Sequence, residues 1–266
     1  MELPPNLFKT AVARGGPQYG IWAGFGTGYA AELCATAGYD WMVIDGEHAP
    51  NTVPSILAQL QAVAPYATAP VVRAVNDDPA LIKQLLDVGA QTLMVPMVET
   101  AEQARALVRA MRYSPHGMRG VGGALVRASR WGDVADYMAR AHEEICLIVQ
   151  VETQLGVENV ESIAAVEGVD AVFVGPMDLS AALGYPGEPN HSEVQRHIEH
   201  AIQATLAANK ACGILAPLED DARRYAALGC HFIAVALDII LLRQAAVDTL
   251  ARYRGDMQTS EPSAGY

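Results

Sequence analysis

Short, nearly continuous apolar runs alternate along this chain with longer stretches in which apolar residues recur every three or four positions. The runs Gly20–Phe25, Trp41–Ile44, Pro70–Ala74, Thr92–Val95, Ile145–Val151, Ala171–Val174, Gly213–Ala216 and Phe232–Ala236 read as eight buried strands. Between them, Thr52–Val63, Pro79–Val88, Thr100–Met111 and Glu193–Ala208 carry the spacing of amphipathic helices. Strands that are apolar throughout are covered on both faces, and helices between them imply a parallel sheet. Eight such units in about 250 residues fit a (β/α)8 barrel better than a doubly wound sheet. No Gly-rich GxGxxG follows the first strand, which further weakens a dinucleotide-binding reading. The expected organisation is one barrel domain over residues 1–254, with an N-terminal helix, and a polar tail over 255–266 for which disorder is the default.

One connection exceeds the usual length. Between Val95 and Ile145 a helix is followed by Ser114-Pro-His-Gly-Met-Arg-Gly-Val-Gly-Gly123 and then by Val126–Trp131. Connections of this length in a barrel are commonly lids or subunit contacts. The glycines invite a phosphate-loop reading, but no Gly-Lys-Ser/Thr follows them.

Composition narrows the picture. A net charge of -12 argues against a nucleic-acid partner, because phosphate binding needs a basic surface. No apolar stretch approaches the roughly 20 residues needed to span a bilayer, and Met1–Thr10 lacks the pattern of a signal peptide. Cys34, Cys146, Cys212 and Cys230 form no CxxC pair and read as reduced thiols, so the default expectation is cytoplasmic.

In a (β/α)8 barrel the C-terminal strand ends converge on the active site. Here they carry chemistry. Val149-Gln-Val runs into Glu152, and Ala171–Val174 runs through Gly175-Pro176-Met177 into Asp178. Two carboxylates at consecutive strand ends suit a hard divalent cation that keeps positions open for water and substrate. The competing reading is that each caps the helix after it, with Thr153 and Ser180 nearby. His48 as a third ligand would move the preference to zinc. Arg73 ends the third strand, where a guanidinium needs an anion; that anion is either a structural carboxylate such as Glu47 or a substrate oxygen. His48 follows Asp45-Gly46-Glu47, and Asp87 at the end of the next helix is a candidate to orient it as a general acid/base.

The lysines decide between two ways of making an enolate. Imine-forming aldolases need a lysine projecting from a barrel strand. The only lysines are Lys9, Lys83 and Lys210, and none falls at a strand's C-terminal end. Metal-assisted enolisation is the expectation.

These segments carry a resemblance. Trp41–Pro50, Pro70–Arg73, Lys83–Gly89, Val95–Met97, Gly117–Gly122, Val149–Glu152 and Val174–Ser180 are similar to the HpcH/HpaI aldolase family, over nearly the whole chain. The resemblance implies a class II, metal-dependent pyruvate aldolase that cleaves 4-hydroxy-2-oxo acids reversibly to pyruvate and an aldehyde. It implies that Glu152 and Asp178 hold the ion (Mg2+, Mn2+ or Co2+, with Zn2+ less favoured and no organic cofactor). Gln150, Gly175, Pro176, Met177 and Ala216 would line the site for pyruvate or hydroxypyruvate. Arg73 would hold the keto and enolate oxygen, His48 with Asp87 would act as acid/base, and Asp45 would stand behind them. A homohexamer, a dimer of trimers with exchanged last helices, is also implied, with the loop around Arg119–Gly123 reaching a neighbour. Met177 departs from the pattern, where a smaller residue is usual. The rival readings are a CoA-dependent citryl- or malyl-type lyase on the same barrel and a non-catalytic ligand-binding barrel.

Overall fold

All eight apolar runs become strands: β1 (Gln18–Ala23), β2 (Trp41–Asp45), β3 (Ala69–Arg73), β4 (Thr92–Val95), β5 (Cys146–Val151), β6 (Ala171–Val174), β7 (Ala211–Leu215) and β8 (Phe232–Leu237). In this computed structural model, which describes residues 1–255, they pair in chain order into a closed barrel, every neighbouring pair parallel. Helix α1 (Leu7–Arg14) precedes the barrel. The connections carry α2 (Gly28–Ala35), α3 (Val53–Val63), α4 (Pro79–Asp87), α5 (Ala101–Met111), α6 (Tyr137–Arg140), α7 (Gln154–Glu158), α8 (Val160–Ala164), α9 (Pro176–Ala182), α10 (Ser192–Ala207) and α11 (Glu219–Ala227); α12 (Asp238–Arg254) closes the fold. The last residues of the expected tail, 256–266, lie outside the described residues.

The boundaries shift for local reasons. Thr100 sits just outside α5 as its N-cap, its side chain accepting the Gln103 N–H at 3.1 Å, and Thr52 with Ser55 forms a capping box before α3. At β1 the expected run overshoots. The Gly24 and Phe25 N–H groups leave the ladder and bond to the Asp238 carboxylate at 2.9 and 3.3 Å.

Two layers of core follow from the strand pleat. Inside the barrel, Trp22, Trp41, Val43, Val71, Met94, Ile148, Phe173 and Phe232 interlock. Outside it, Ile44, Val72, Val95, Val149 and Val174 meet the apolar faces of helices through Leu60, Leu86, Leu107, Ile163 and Ile198. Phe8 of α1 packs edge-on against Trp41 and Phe232, with ring centroids 5.8 and 5.1 Å apart. Both partners open their strands, so α1 stoppers the N-terminal end of the barrel.

The long connection is ordered by one buried cation. Arg119 is 4% exposed; its Nη2 donates to Asp87 Oδ1 at 2.7 Å and its guanidinium lies 4.5 Å over the Tyr113 ring. Gly117 is needed because its Cα lies against the carbonyls of Arg109 and Arg112 where α5 ends, leaving no room for a Cβ. Here the glycine serves close packing, as glycine often does where backbones approach. The same connection leaves Leu125 and Trp131 exposed. Helix α12 is also bare: of its seventeen residues only Asp238 is buried, while Ile239, Leu241, Leu242 and Leu250 face outward.

Candidate active site

The C-terminal strand ends surround one cavity of about 420 Å3. Asp45, His48, Arg73, Gln150, Gly175, Pro176, Met177 and Asp178, all named from sequence, line it. Register brings the first pair together: Asp45 and Arg73 are paired residues at the ends of β2 and β3. Arg73 donates from Nε to Asp45 Oδ1 at 2.9 Å and from Nη2 to Oδ2 at 2.8 Å, while Nη1 meets Glu47 at 2.7 Å. The structural partner Glu47 is therefore present, with Asp45 the stronger, two-point anchor. Three of the five guanidinium N–H groups are thereby directed, and others are left for an oxygen in the cavity. Trp22 completes the cradle. Its ring lies under the guanidinium at 4.7 Å and its Nε1 donates to Asp45 Oδ2 at 3.2 Å.

Charge in this corner is tuned by that arrangement. Burial works against the Asp45 charge, yet the hydrogen bonds and charge of Arg73 outweigh it and hold the carboxyl below the usual range. Glu47 has only one such contact, and burial raises it despite Arg73 and His48.

Glu152 does not itself line the cavity; it is 2% exposed and lies against Gln150 and Gly175, which do. It does not cap its own helix: Thr153 does, accepting the Gly156 N–H at 3.0 Å. Its carboxylate instead accepts the Met97 N–H at 2.9 Å and the Gln150 side-chain amide. Gly175 is dictated by this contact, since a Cβ there would stand 2.5 Å from Glu152 Oε2. Burial pushes the Glu152 carboxyl up to about 7; Asp178 and Glu47 add to the effect, and the Met97 and Gln150 hydrogen bonds oppose it. Asp178 sits in the first turn of α9, exposed to the cavity, where the helix dipole also favours its charge. Gln150 Oε1 is buried with no hydrogen-bond partner. Asp178 facing the cavity, with a buried carboxylate and an orphaned oxygen acceptor beside the lining, suits a hard cation with oxygen ligands. Among the described residues no group of three or more His, Cys, Asp or Glu side chains converges on one point, so His48 does not complete a zinc-type set.

Two expected placements change. Asp87 does not orient His48 within the chain: its carboxylate pairs with Arg119, and the His48 Nε2 lies 3.8 Å from Glu47 with the side chain 67% exposed. Ala216 is buried and lines a smaller neighbouring cavity, not the main one. Lining residues that sequence reasoning passed over are Trp22, Phe173 and Asp238. Asp238 had the same signature as Glu152, an apolar run ending in a carboxylate, but its oxygens tie down the Gly24, Phe25 and Ile239 N–H groups.

A family model described as HpcH/HpaI aldolase/citrate lyase matches residues 18–245. The chain is 67% identical to a hydroxypyruvate/pyruvate aldolase of Delftia acidovorans, over 98% of this chain and 97% of that one. It is 54% identical to a 4-hydroxy-2-oxo-heptane-1,7-dioate aldolase of Klebsiella pneumoniae, over 96% of each chain. An HpcH/HpaI aldolase/citrate lyase family protein of Burkholderia cenocepacia superimposes with a TM-score of 0.90 at 42% identity, over 94% of this chain and 99% of that one. A family model that covers residues 18–245 and identity of this extent over nearly the whole chain lead to one conclusion: the chain belongs to the HpcH/HpaI aldolase/citrate lyase family.

Proposed function

We propose that this protein is a class II pyruvate aldolase, cleaving 4-hydroxy-2-oxo acids reversibly to pyruvate, or hydroxypyruvate, and an aldehyde. The observation that carries the reading is one small cavity lined by both a guanidinium anchored by two carboxylates and Asp178, with Glu152 lying against its Gln150 and Gly175 lining. Relatives named as hydroxypyruvate/pyruvate and 4-hydroxy-2-oxo-heptane-1,7-dioate aldolases support it.

Glu152 and Asp178 would hold a divalent ion, with Mg2+, Mn2+ and Co2+ all suited to an oxygen set of this kind. Such an ion supplies Lewis acidity toward a 2-oxo acid. The protein's own groups do the rest. In cleavage, the C4 hydroxyl loses its proton to a base, for which His48 at the rim is the candidate. The C3–C4 bond then breaks, its electrons pass into the enolate of pyruvate, and the aldehyde departs. Arg73 keeps N–H groups for the keto oxygen as it gains negative charge, held in place by Asp45, Glu47 and Trp22. Protonation at C3 releases pyruvate. Gln150 and the Gly175–Met177 turn line the donor site.

The exposed apolar face of α12 and the bare connection near Leu125 and Trp131 support the reading as a homohexamer, a dimer of trimers with exchanged last helices. In such an assembly Asp87 and the Arg119–Gly123 connection would stand at a neighbour's site. Sedimentation of the full chain checks this: a hexamer mass is expected, and a monomer overturns it.

The activity is tested by treating the protein with EDTA, then assaying pyruvate release from 4-hydroxy-2-oxo acids with and without added Mg2+, Mn2+ or Co2+. Activity lost on chelation, restored by metal and abolished in Glu152→Ala is expected. Full activity after chelation and in that variant overturns the metal reading, and a strict need for acyl-CoA substrates points to the citryl- or malyl-type lyase.

A further inference from the structure

Behind the main cavity lies a second one of about 70 Å3, and the two share three wall residues, Pro176, Met177 and Leu215. Pro176 and Leu215 are fixed by ring closure and by the end of β7, whereas Met177 is unbranched, half-buried and free at three side-chain bonds. A volume of about 70 Å3 is room for about two water-sized groups at about 30 Å3 each.

We propose that the second cavity is a subsite for the distal chain of the acceptor aldehyde, and that the Met177 side chain is the gate admitting it. The inference rests on the aldol reading above and specifies which aldehydes that reaction takes. The walls decide the chemistry. Ala216, Pro217 and Leu218 make one side apolar. The far end is lined by Asn190, Asp221 and Tyr225, whose polar atoms are already engaged. Asn190 Nδ2 donates to Asp221 at 3.4 Å, Arg224 donates to Asp221 at 3.1 Å, and the Tyr225 hydroxyl donates to Gln195 at 3.1 Å. Arg224 is spent on Asp221 and does not line the cavity, so a tail entering it meets no free cation that could pair with a carboxylate. The subsite therefore favours an uncharged aliphatic tail and disfavours one ending in a carboxylate.

The test measures kcat/KM with pyruvate as donor across unbranched aldehydes from acetaldehyde to octanal, with succinic semialdehyde as the charged comparison. Met177→Ala opens the gate and is expected to raise the hexanal-to-acetaldehyde ratio at least tenfold without a like gain for succinic semialdehyde. Met177→Leu keeps the volume but stiffens the side chain, and is expected to lower that ratio. Ala216→Leu fills the second cavity from its apolar side and should cancel the gain when added to Met177→Ala. Ratios that stay at the native value in both Met177 variants overturn the gate. A gain that survives Ala216→Leu overturns the subsite. Absence of aldol turnover with every aldehyde in the native protein would instead sink the aldolase reading itself, so the two failures are distinguishable.

Discussion

Arg73 and Asp45 close a two-point fork, 2.9 and 2.8 Å, between the last residues of adjacent strands. Both side chains are buried, at 7% and 4% exposure, so neither charge tolerates loss of the other. Arg73→Ala is expected to cost about 3–5 kcal/mol in urea unfolding, because Asp45 and Glu47 stay behind unpaired. Arg73→Lys keeps the charge but not the fork, and should fold while losing about 100-fold or more in turnover. Unchanged turnover in the lysine variant would make the arginine purely structural.

On the proposal that Glu152 holds the metal, affinity should depend on pH. Its folded-state carboxyl titrates near 7 against an ordinary 4.5. Below the ordinary value both folded and unfolded chains are protonated and pH has no effect through this group. As pH rises toward 7 the metal-free folded protein holds the proton that the unfolded chain has lost, so its stability falls over that window and is level above it. A cation binds the charged form, so affinity should climb about tenfold per pH unit from about 5 to 7 and then flatten. Isothermal titration with Mn2+ at several pH values reads the slope, and Glu152→Gln should abolish both binding and slope.

His48 is exposed and contributes little packing. His48→Ala should leave the thermal midpoint within about 2 °C of the native value, because surface substitutions rarely exceed half a kcal/mol. Aldol cleavage is expected to fall about 100-fold or more, the usual weight of a general base. Near-native cleavage would move the base to another group.

Asp87 and Arg119 form the buried pair that ties the long connection to α4. Asp87→Ala leaves Arg119 uncompensated, and a loss of about 3–5 kcal/mol is expected. Limited proteolysis should show new cuts between residues 112 and 145, and an uncut, fully stable variant would refute the role.

The barrel was legible because each parallel strand is covered on both faces and so is written as an unbroken apolar run; Thr92–Val95 and Ala171–Val174 match to the residue. The strand-end carboxylates were legible for the same reason, as charges that interrupt such runs. What they do there was less visible. Glu152 and Asp238 end their strands alike, yet one bonds to the Met97 N–H and the Gln150 amide and the other ties down three backbone N–H groups. That choice is made by which loop lies opposite, a matter of barrel closure between β8 and β1. The Asp87–Arg119 pair spans 32 positions, and no local spacing marks it. Trp22 gave a fair signal, a lone large indole at the end of a strand, but its use as a platform for Arg73 depends on β1 and β3 curving toward a common axis.

The Phe8 stopper has a consequence for traffic. With the N-terminal end of the barrel closed by α1 against Trp41 and Phe232, access to the cavity among the described residues is from the strand C-termini. Donor and acceptor must enter, and both fragments must leave, through the same opening. On the proposal that Gln150 and Gly175 line the donor site, the pyruvate fragment would be the inner passenger and the aldehyde would leave first.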